Sequence, residues 1–173
     1  MKINKKIKFF FAVVGFSIAF FMQQSCHVYS FKNISFPDTV KTVKVNYIEN
    51  HARYVNPQLS PKLTDGLRQK IVRQTRLSQT NSDEAHWDIK GEIRDYSLST
   101  SGISNQQVAS NRLNISVHIT LNDRQANEVK EYDISRSFDF SATLSLQAAE
   151  AKLTDEIIRS LTDDIFNRIF STW

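Results

Sequence analysis

Four stretches of the chain alternate polar and apolar residues with the period of two that sets one side of a strand against a core. In TVKTVKVNYI, residues 39–48, Val43, Val45 and Tyr47 alternate with Lys44 and Asn46. WDIKGEIRDY places Trp87, Ile89, Gly91 and Ile93 on one side and Asp88, Lys90, Glu92 and Arg94 on the other. Tyr96 and Leu98 then fall out of phase, which predicts a bulge near Asp95. RLNISVHITL turns Leu113, Ile115, Val117, Ile119 and Leu121 inward, and EYDISRSFDF follows with Tyr132, Ile134, Phe138 and Phe140.

Two other stretches carry helical spacing. Ser60 followed by Pro61 reads as a helix start, and Leu63, Leu67 and Ile71 recur every fourth residue, predicting a helix over about 60–77. Leu153, Ile157, Leu161, Ile165 and Ile169 step in the same way through a second amphipathic helix ending near Trp173. The polar run SLSTSGISNQQVAS, residues 97–110, reads as a long loop.

The predicted order is β-α-β-β-β-α, a two-layer α+β sandwich with a four-stranded mixed sheet. A right-handed crossover joins the first two strands, and an antiparallel meander joins the last three. Two helices cannot cover both faces of such a sheet, and the strands alternate rather than running solidly apolar. Both helices therefore belong on one face, and the other face is left polar and open. Arg136 is in phase with the inward residues of its strand, so it is either a snorkelling edge residue or a paired buried charge.

The N-terminal residues change the reading of charge. MKINKKIK carries Lys2, Lys5, Lys6 and Lys8 without an acid, and an apolar run then extends from Phe9 to Met22. This is the charge and hydropathy pattern of a signal peptide. At ~1.5 Å per residue the run is too short for a bilayer core of ~30 Å. Ser25 followed by Cys26, the only cysteine, resembles the end of a bacterial lipobox, although Gln23 stands where leucine is usual. One thiol makes neither an intrachain disulfide nor a structural zinc site.

The division expected is a lipoprotein signal peptide over 1–25, a lipidated N-terminus and tether over 26–38, and a single domain over 39–173. Loss of residues 1–25 leaves 148 of the 173 residues and takes Lys+Arg from 22 to 18 against 18 Asp+Glu. The sequence pI near 9.2 then belongs to the leader, and no basic stripe remains to suggest nucleic-acid binding.

The ordered series CHVYSF, VNYIENHARYVNPQLSPKLTDGLRQKIVRQTRL, WDIKGEIRDYSLS, SNRLNISVHI and LTDEIIRSLTDDIFNRIFSTW resembles the LptE-type lipopolysaccharide-assembly lipoproteins of the Bacteroidetes-like branch. The resemblance covers essentially the whole chain after the leader. It implies a lipid-anchored outer-membrane protein, facing the periplasm, that plugs and supports an LptD-like β-barrel and assists lipopolysaccharide delivery to the outer leaflet. A second reading from the residues is an outer-membrane lipoprotein that binds a protein partner unrelated to lipopolysaccharide transport.

Enzyme chemistry finds no motif. His27, His51, His86 and His118 lack metal-ligand spacing, and the chain has neither a nucleophile elbow nor a glycine-rich phosphate loop. No cofactor, metal or catalytic residue is expected, and His118 reads as a solvated side chain on the polar side of its strand. The residues singled out for function are Cys26, for acylation, and two sets of cations for lipopolysaccharide phosphates. Arg68, Arg73 and Arg76 lie on the first helix, and Lys90, Arg94 and Arg112 lie on the open sheet face.

Overall fold

The computed structural model describes residues 37–104 and 107–171. Cys26, the leader and Trp173 lie outside the described residues. The elements run β1 (Thr42–Val45), β2 (Glu49–Asn50), α1 (Leu59–Gln74), β3 (Ser78–Gln79), β4 (Trp87–Ser104), β5 (Gln107–Asp123), β6 (Glu128–Ser141) and α2 (Leu146–Phe170). They form an α+β domain with a mixed sheet in the order β3-β1-β4-β5-β6, and β2 also pairs with β4.

The expected four strands are therefore six among the described residues, because two short segments add to the sheet. β3 pairs in parallel with β1, and β2 pairs in parallel with β4 beyond the end of β1. Two-residue strands leave too little alternation for periodicity to register. The crossover through α1 joins parallel strands, and β4, β5 and β6 form the expected antiparallel meander.

The run at 97–110, expected as a loop, is strand throughout its described residues. β4 extends to Ser104 and β5 begins at Gln107, with Ser97–Thr100 opposite Asn111–Asn114. Serine, threonine and asparagine side chains carry no core signal, yet a ladder that starts in the core continues through them by backbone hydrogen bonding. The bulge lies where the phase slip placed it, with the register shifting between Ile93 and Asp95. That extra residue returns Tyr96 to the core side, where it is buried.

One hydrophobic core lies between the sheet and the helices. Leu63, Leu67 and Ile71 of α1 and Ile157, Leu161, Ile165 and Ile169 of α2 meet Ile89, Ile93, Leu113, Ile115, Val117 and Ile119. Tyr47, expected inward, is 54% exposed, and Ile48 takes the buried position. β1 ends at Val45, so the alternation does not carry through to Tyr47. Gly91 makes that packing possible, since a Cβ there would lie 2.9 Å from Ile119 Cδ1 and 3.0 Å from Ile48 Cγ1.

The start of α1 is Leu59 rather than Ser60, with Gln58 at the N-cap position. Ser60 is buried instead of capping, and its carbonyl accepts a hydrogen bond from the Thr64 hydroxyl at 2.7 Å. The same hydroxyl oxygen accepts the Ile48 N–H at 3.0 Å, tying α1 to the segment that follows β1. At the other helix, Ser145 caps α2 by accepting the Ala148 N–H at 3.2 Å.

The two helices are joined by Lys70, which donates to Asp163 at 2.8 Å and sits 5.1 Å from the centroid of the Phe166 ring. Arg136 fits neither alternative alone, being exposed on the edge strand and yet paired. Its guanidinium forks onto Asp164 of α2, with the second contact at 2.7 Å. The pair sits at the margin of the core, with Arg136 half exposed, so its desolvation is partial.

Leu161 is fully buried at the centre of the α2 stripe. Leu161→Ala should lower unfolding free energy by roughly 2–5 kcal/mol through lost transfer and the cavity left behind. Leu161→Asp should abolish cooperative folding, because a buried carboxylate without a partner costs more than a missing methyl group. Urea denaturation followed by circular dichroism checks both, and wild-type curves for either would show that α2 does not face the sheet.

Candidate functional site

The face of the sheet opposite the helices carries the polar halves of the alternating strands. Register places Lys90, Thr120 and Glu131 in one row and Glu92, His118 and Asp133 in the next. Beside these rows β1 has ended and β2 has just begun, and the break brings Asn46, Tyr47 and Glu49 to the rim. Together these residues, Asp133 excepted, line an open hollow of about 550 Å³.

Its floor is a chain of charge-assisted contacts. His118 Nδ1 lies 2.7 Å from Asp133 Oδ1, and Arg94 Nη1 lies 3.4 Å from the same oxygen. Arg94 Nε donates to Glu92 Oε1 at 2.6 Å, and His51 approaches both Glu92, at 3.9 Å, and Glu49, at 2.8 Å. His118, expected to be solvated, is only 8% exposed because it is packed within this row of side chains.

Hydrogen bonding from His118 holds the Asp133 carboxyl below the usual carboxylate range. The hydrogen bond from Arg94 does the same for Glu92. At the rim, Asn46 Nδ2 donates to Asp88 at 2.5 Å and to the Ile89 carbonyl at 2.9 Å, holding the end of β1 against β4.

The structure brings Lys90 and Arg94 to one hollow. Arg112 shares their face but sits two rows from the far end of the meander, opposite Ser99 and Asp139. Eight residues along a strand separate it from Thr120 beside Lys90, roughly 27 Å at a rise of ~3.4 Å. Its guanidinium forks onto Asp139 at 2.8 and 3.0 Å.

The cations of α1 are not gathered into one site. Arg68 turns inward to the sheet and donates to the Val45 carbonyl from Nε at 3.2 Å and Nη2 at 2.7 Å. Arg73 is exposed and reaches Gln69 at 3.4 Å. Arg76 follows the end of α1 and pairs with Asp38.

Sequence reasoning passed over Tyr47, Glu49 and Glu92 as members of the hollow. Glu92 and Lys90 shared a visible polar phase, so the strand pattern could have grouped them. Nothing in the pattern announced that β1 would stop at Val45. Among the described residues, no group of three or more histidine, aspartate or glutamate side chains is placed to hold a metal ion, and no helix is long and apolar enough to cross a membrane.

A two-layer α+β domain with one polar, uncovered sheet face is the class that this geometry defines. The model of the family described as lipopolysaccharide-assembly, LptE, matches residues 40–169, and the chain belongs to that family. Among solved structures, it is similar to a minor lipoprotein from Acinetobacter baumannii, at TM-score 0.50 and 15% identity, covering 75% of this chain and 92% of that one. It also overlaps the rare lipoprotein B of Shewanella oneidensis, at TM-score 0.40 and 14% identity, over 74% of this chain and 90% of that one. The first likeness bears on the fold alone, and the second is too loose to add to it. No curated protein matches significantly.

Glu92 and Asp133 both have lowered folded-state pKa values, so each favours the fold once pH exceeds its unfolded value, about 4.3 and 3.9 respectively. That contribution is lost as pH falls through the folded values below them. The stability gap between wild type and a Glu92→Gln, Asp133→Asn double variant should be present at pH 6 and close on acidification to about pH 2. Urea midpoints across this range provide the check, and a gap that widens in acid would contradict the assignment. Both carboxylates are at the surface, so the gap should be small.

Proposed function

We propose that this chain is an outer-membrane lipoprotein, acylated at Cys26 after removal of residues 1–25, whose domain from residue 39 faces the periplasm. There it supports and plugs an LptD-like β-barrel and assists lipopolysaccharide delivery to the outer leaflet. Membership of the LptE family over residues 40–169 is the observation that carries the reading. The polar open face gives it a physical rationale, because barrel lumens present polar side chains and a polar sheet can lie against them without burying unsatisfied groups.

Lipopolysaccharide phosphates are the proposed ligands of the exposed cations. Lys90 and Arg94 share the hollow, and exposed Arg73 stands on the outer side of α1. Arg68 and Arg76 already engage Val45 and Asp38, so a phosphate there would have to compete with those contacts. Arg94 and Arg112 would likewise exchange Glu92 and Asp139 for the ligand. No covalent chemistry belongs to this function, and the proposed role is one of binding and support.

Affinity purification of the tagged full chain in mild detergent, followed by mass spectrometry, should recover a large β-barrel and bound glycolipid. Recovery of a different protein without a barrel would favour a binding module outside lipopolysaccharide transport. In the same preparation Cys26→Ala should lose the acyl mass and much of the membrane association, since acyl chains contribute ~0.8 kcal/mol per buried methylene.

The cation sets separate by charge removal. Lys90→Gln with Arg94→Gln should weaken binding of purified lipopolysaccharide by about tenfold and reduce its salt dependence, as phosphate contacts at the surface are screened. Arg68→Gln, Arg73→Gln and Arg76→Gln together should have a smaller effect. A larger loss from the helix set would move the ligand site to α1, and unchanged binding in both folded variants would leave barrel support as the function.

A further inference from the structure

At one side of the sheet, β6 offers an edge. It pairs with β5 through an unbroken register from Glu128 to Ser141, and among the described residues no strand lies on its other side. It contains no proline and no bulge, two of the devices that usually blunt an exposed edge. In an antiparallel pair, residues alternate in directing their backbone N–H and C=O away from the partner, so β6 presents unpaired donors and acceptors.

The edge is also recessed. Asp133, Ile134, Ser135 and Arg136 form one wall of an open hollow of about 670 Å³, and Asp164, Asn167 and Arg168 of α2 form the other. Ile134 and Arg136 point to the helix side, and the hollow between this edge and α2 leaves room for an added strand.

Charge order along β6 selects the occupant. A second copy related by a twofold axis normal to the sheet pairs residue with residue about a centre, keeping helix-side positions opposite helix-side positions. The longest such pairings centre on Asp133, Ile134, Ser135 or Arg136. Centring on Asp133 sets its carboxylate against itself and Lys130 against Arg136. Centring on Ser135 sets Glu131 against Asp139, and centring on Arg136 sets Asp133 against Asp139. Like charges directly opposite each other disfavour a strand pair.

Centring on Ile134 produces no such conflict. Asp133 then faces Ser135, Glu131 faces Ser137, and half-buried Tyr132 faces the Arg136 guanidinium, a favourable cation–aromatic pairing. Ile134 lies within the hollow itself.

We propose that β6 is a self-association edge, on which a second copy of this chain adds antiparallel about Ile134. The two sheets become one, and their open polar faces join into a single surface. Self-association is read on the isolated chain, so its test can fail while the transport role holds.

Ser135 is exposed and stands directly opposite Asp133 across the proposed interface, which makes it the position to test. Full-length protein in detergent is followed by sedimentation over a range of concentrations, with circular dichroism melts confirming that each variant is folded. Wild type should show reversible dimerisation. Ser135→Asp should raise the dissociation constant by roughly fivefold, Ser135→Lys should lower it by a similar factor, and both changes should shrink in high salt. A wild-type chain that stays monomeric throughout overturns the proposal. A dimer whose affinity does not move in opposite directions in the two variants overturns it as well.

Discussion

Two helices facing a broad sheet can cover one side of it and no more, and most of the molecule's character follows from that imbalance. Apolar side chains had to be confined to alternate positions of β4, β5 and β6, and all five inward residues from Leu113 to Leu121 are buried. The intervening positions meet water and one another. Arg136 is the exception on the helix side, and Asp164 meets it there from α2. One-sided cover also leaves β6 without a lateral neighbour among the described residues, since the helices lie over the sheet rather than beside it.

The central strand divides its partners lengthwise. β4 pairs with β1 at Trp87–Ile89 and with β2 at Glu92–Ile93, so one side of a single strand is shared between two short ones. The interruption between them does two things at once. It lets Ile48 drop into the core beside Gly91, and it sends Tyr47 and Glu49 to the rim of the polar hollow. Core packing and the shape of the surface are thus set by the same few residues, with Thr64 of α1 holding the Ile48 backbone in place.

Much of this was readable from periodicity because the elements that build the core are long and one-sided. The helices, the meander and the bulge after Ile93 all announce themselves through the spacing of isoleucine, leucine and valine. Elements held by backbone pairing alone do not. β2 and β3 have no apolar pattern, and the distal parts of β4 and β5 are made of residues that look like a loop. The cations were legible as charges, but their partners were not. Arg68 reaches a carbonyl 23 positions away in sequence, and Arg112 meets a carboxylate 27 positions away, contacts that exist only after folding. His118 shows the same limit, since alternation assigns a side but cannot say how crowded that side will be.

The meander outruns its own foundation. Beyond Tyr96 and Leu113 neither β4 nor β5 buries an apolar residue among those described, and Leu98 is half exposed. β6 accompanies β5 only as far as Ser110, so beyond that row the ladder of β4 and β5 continues with two strands. Ribbons of that kind are marginal by themselves. Opening β4 from Ser99 to Gly102 therefore requires the loss of hydrogen bonds but exposes no buried apolar side chain of that segment, whereas opening the base requires both. The domain consequently has a gradient of protection along a single pair of strands. Amide exchange at Thr100 and Gly102 is governed by local fraying of β4, while exchange at Ile93 and Val117 waits for the whole domain to unfold.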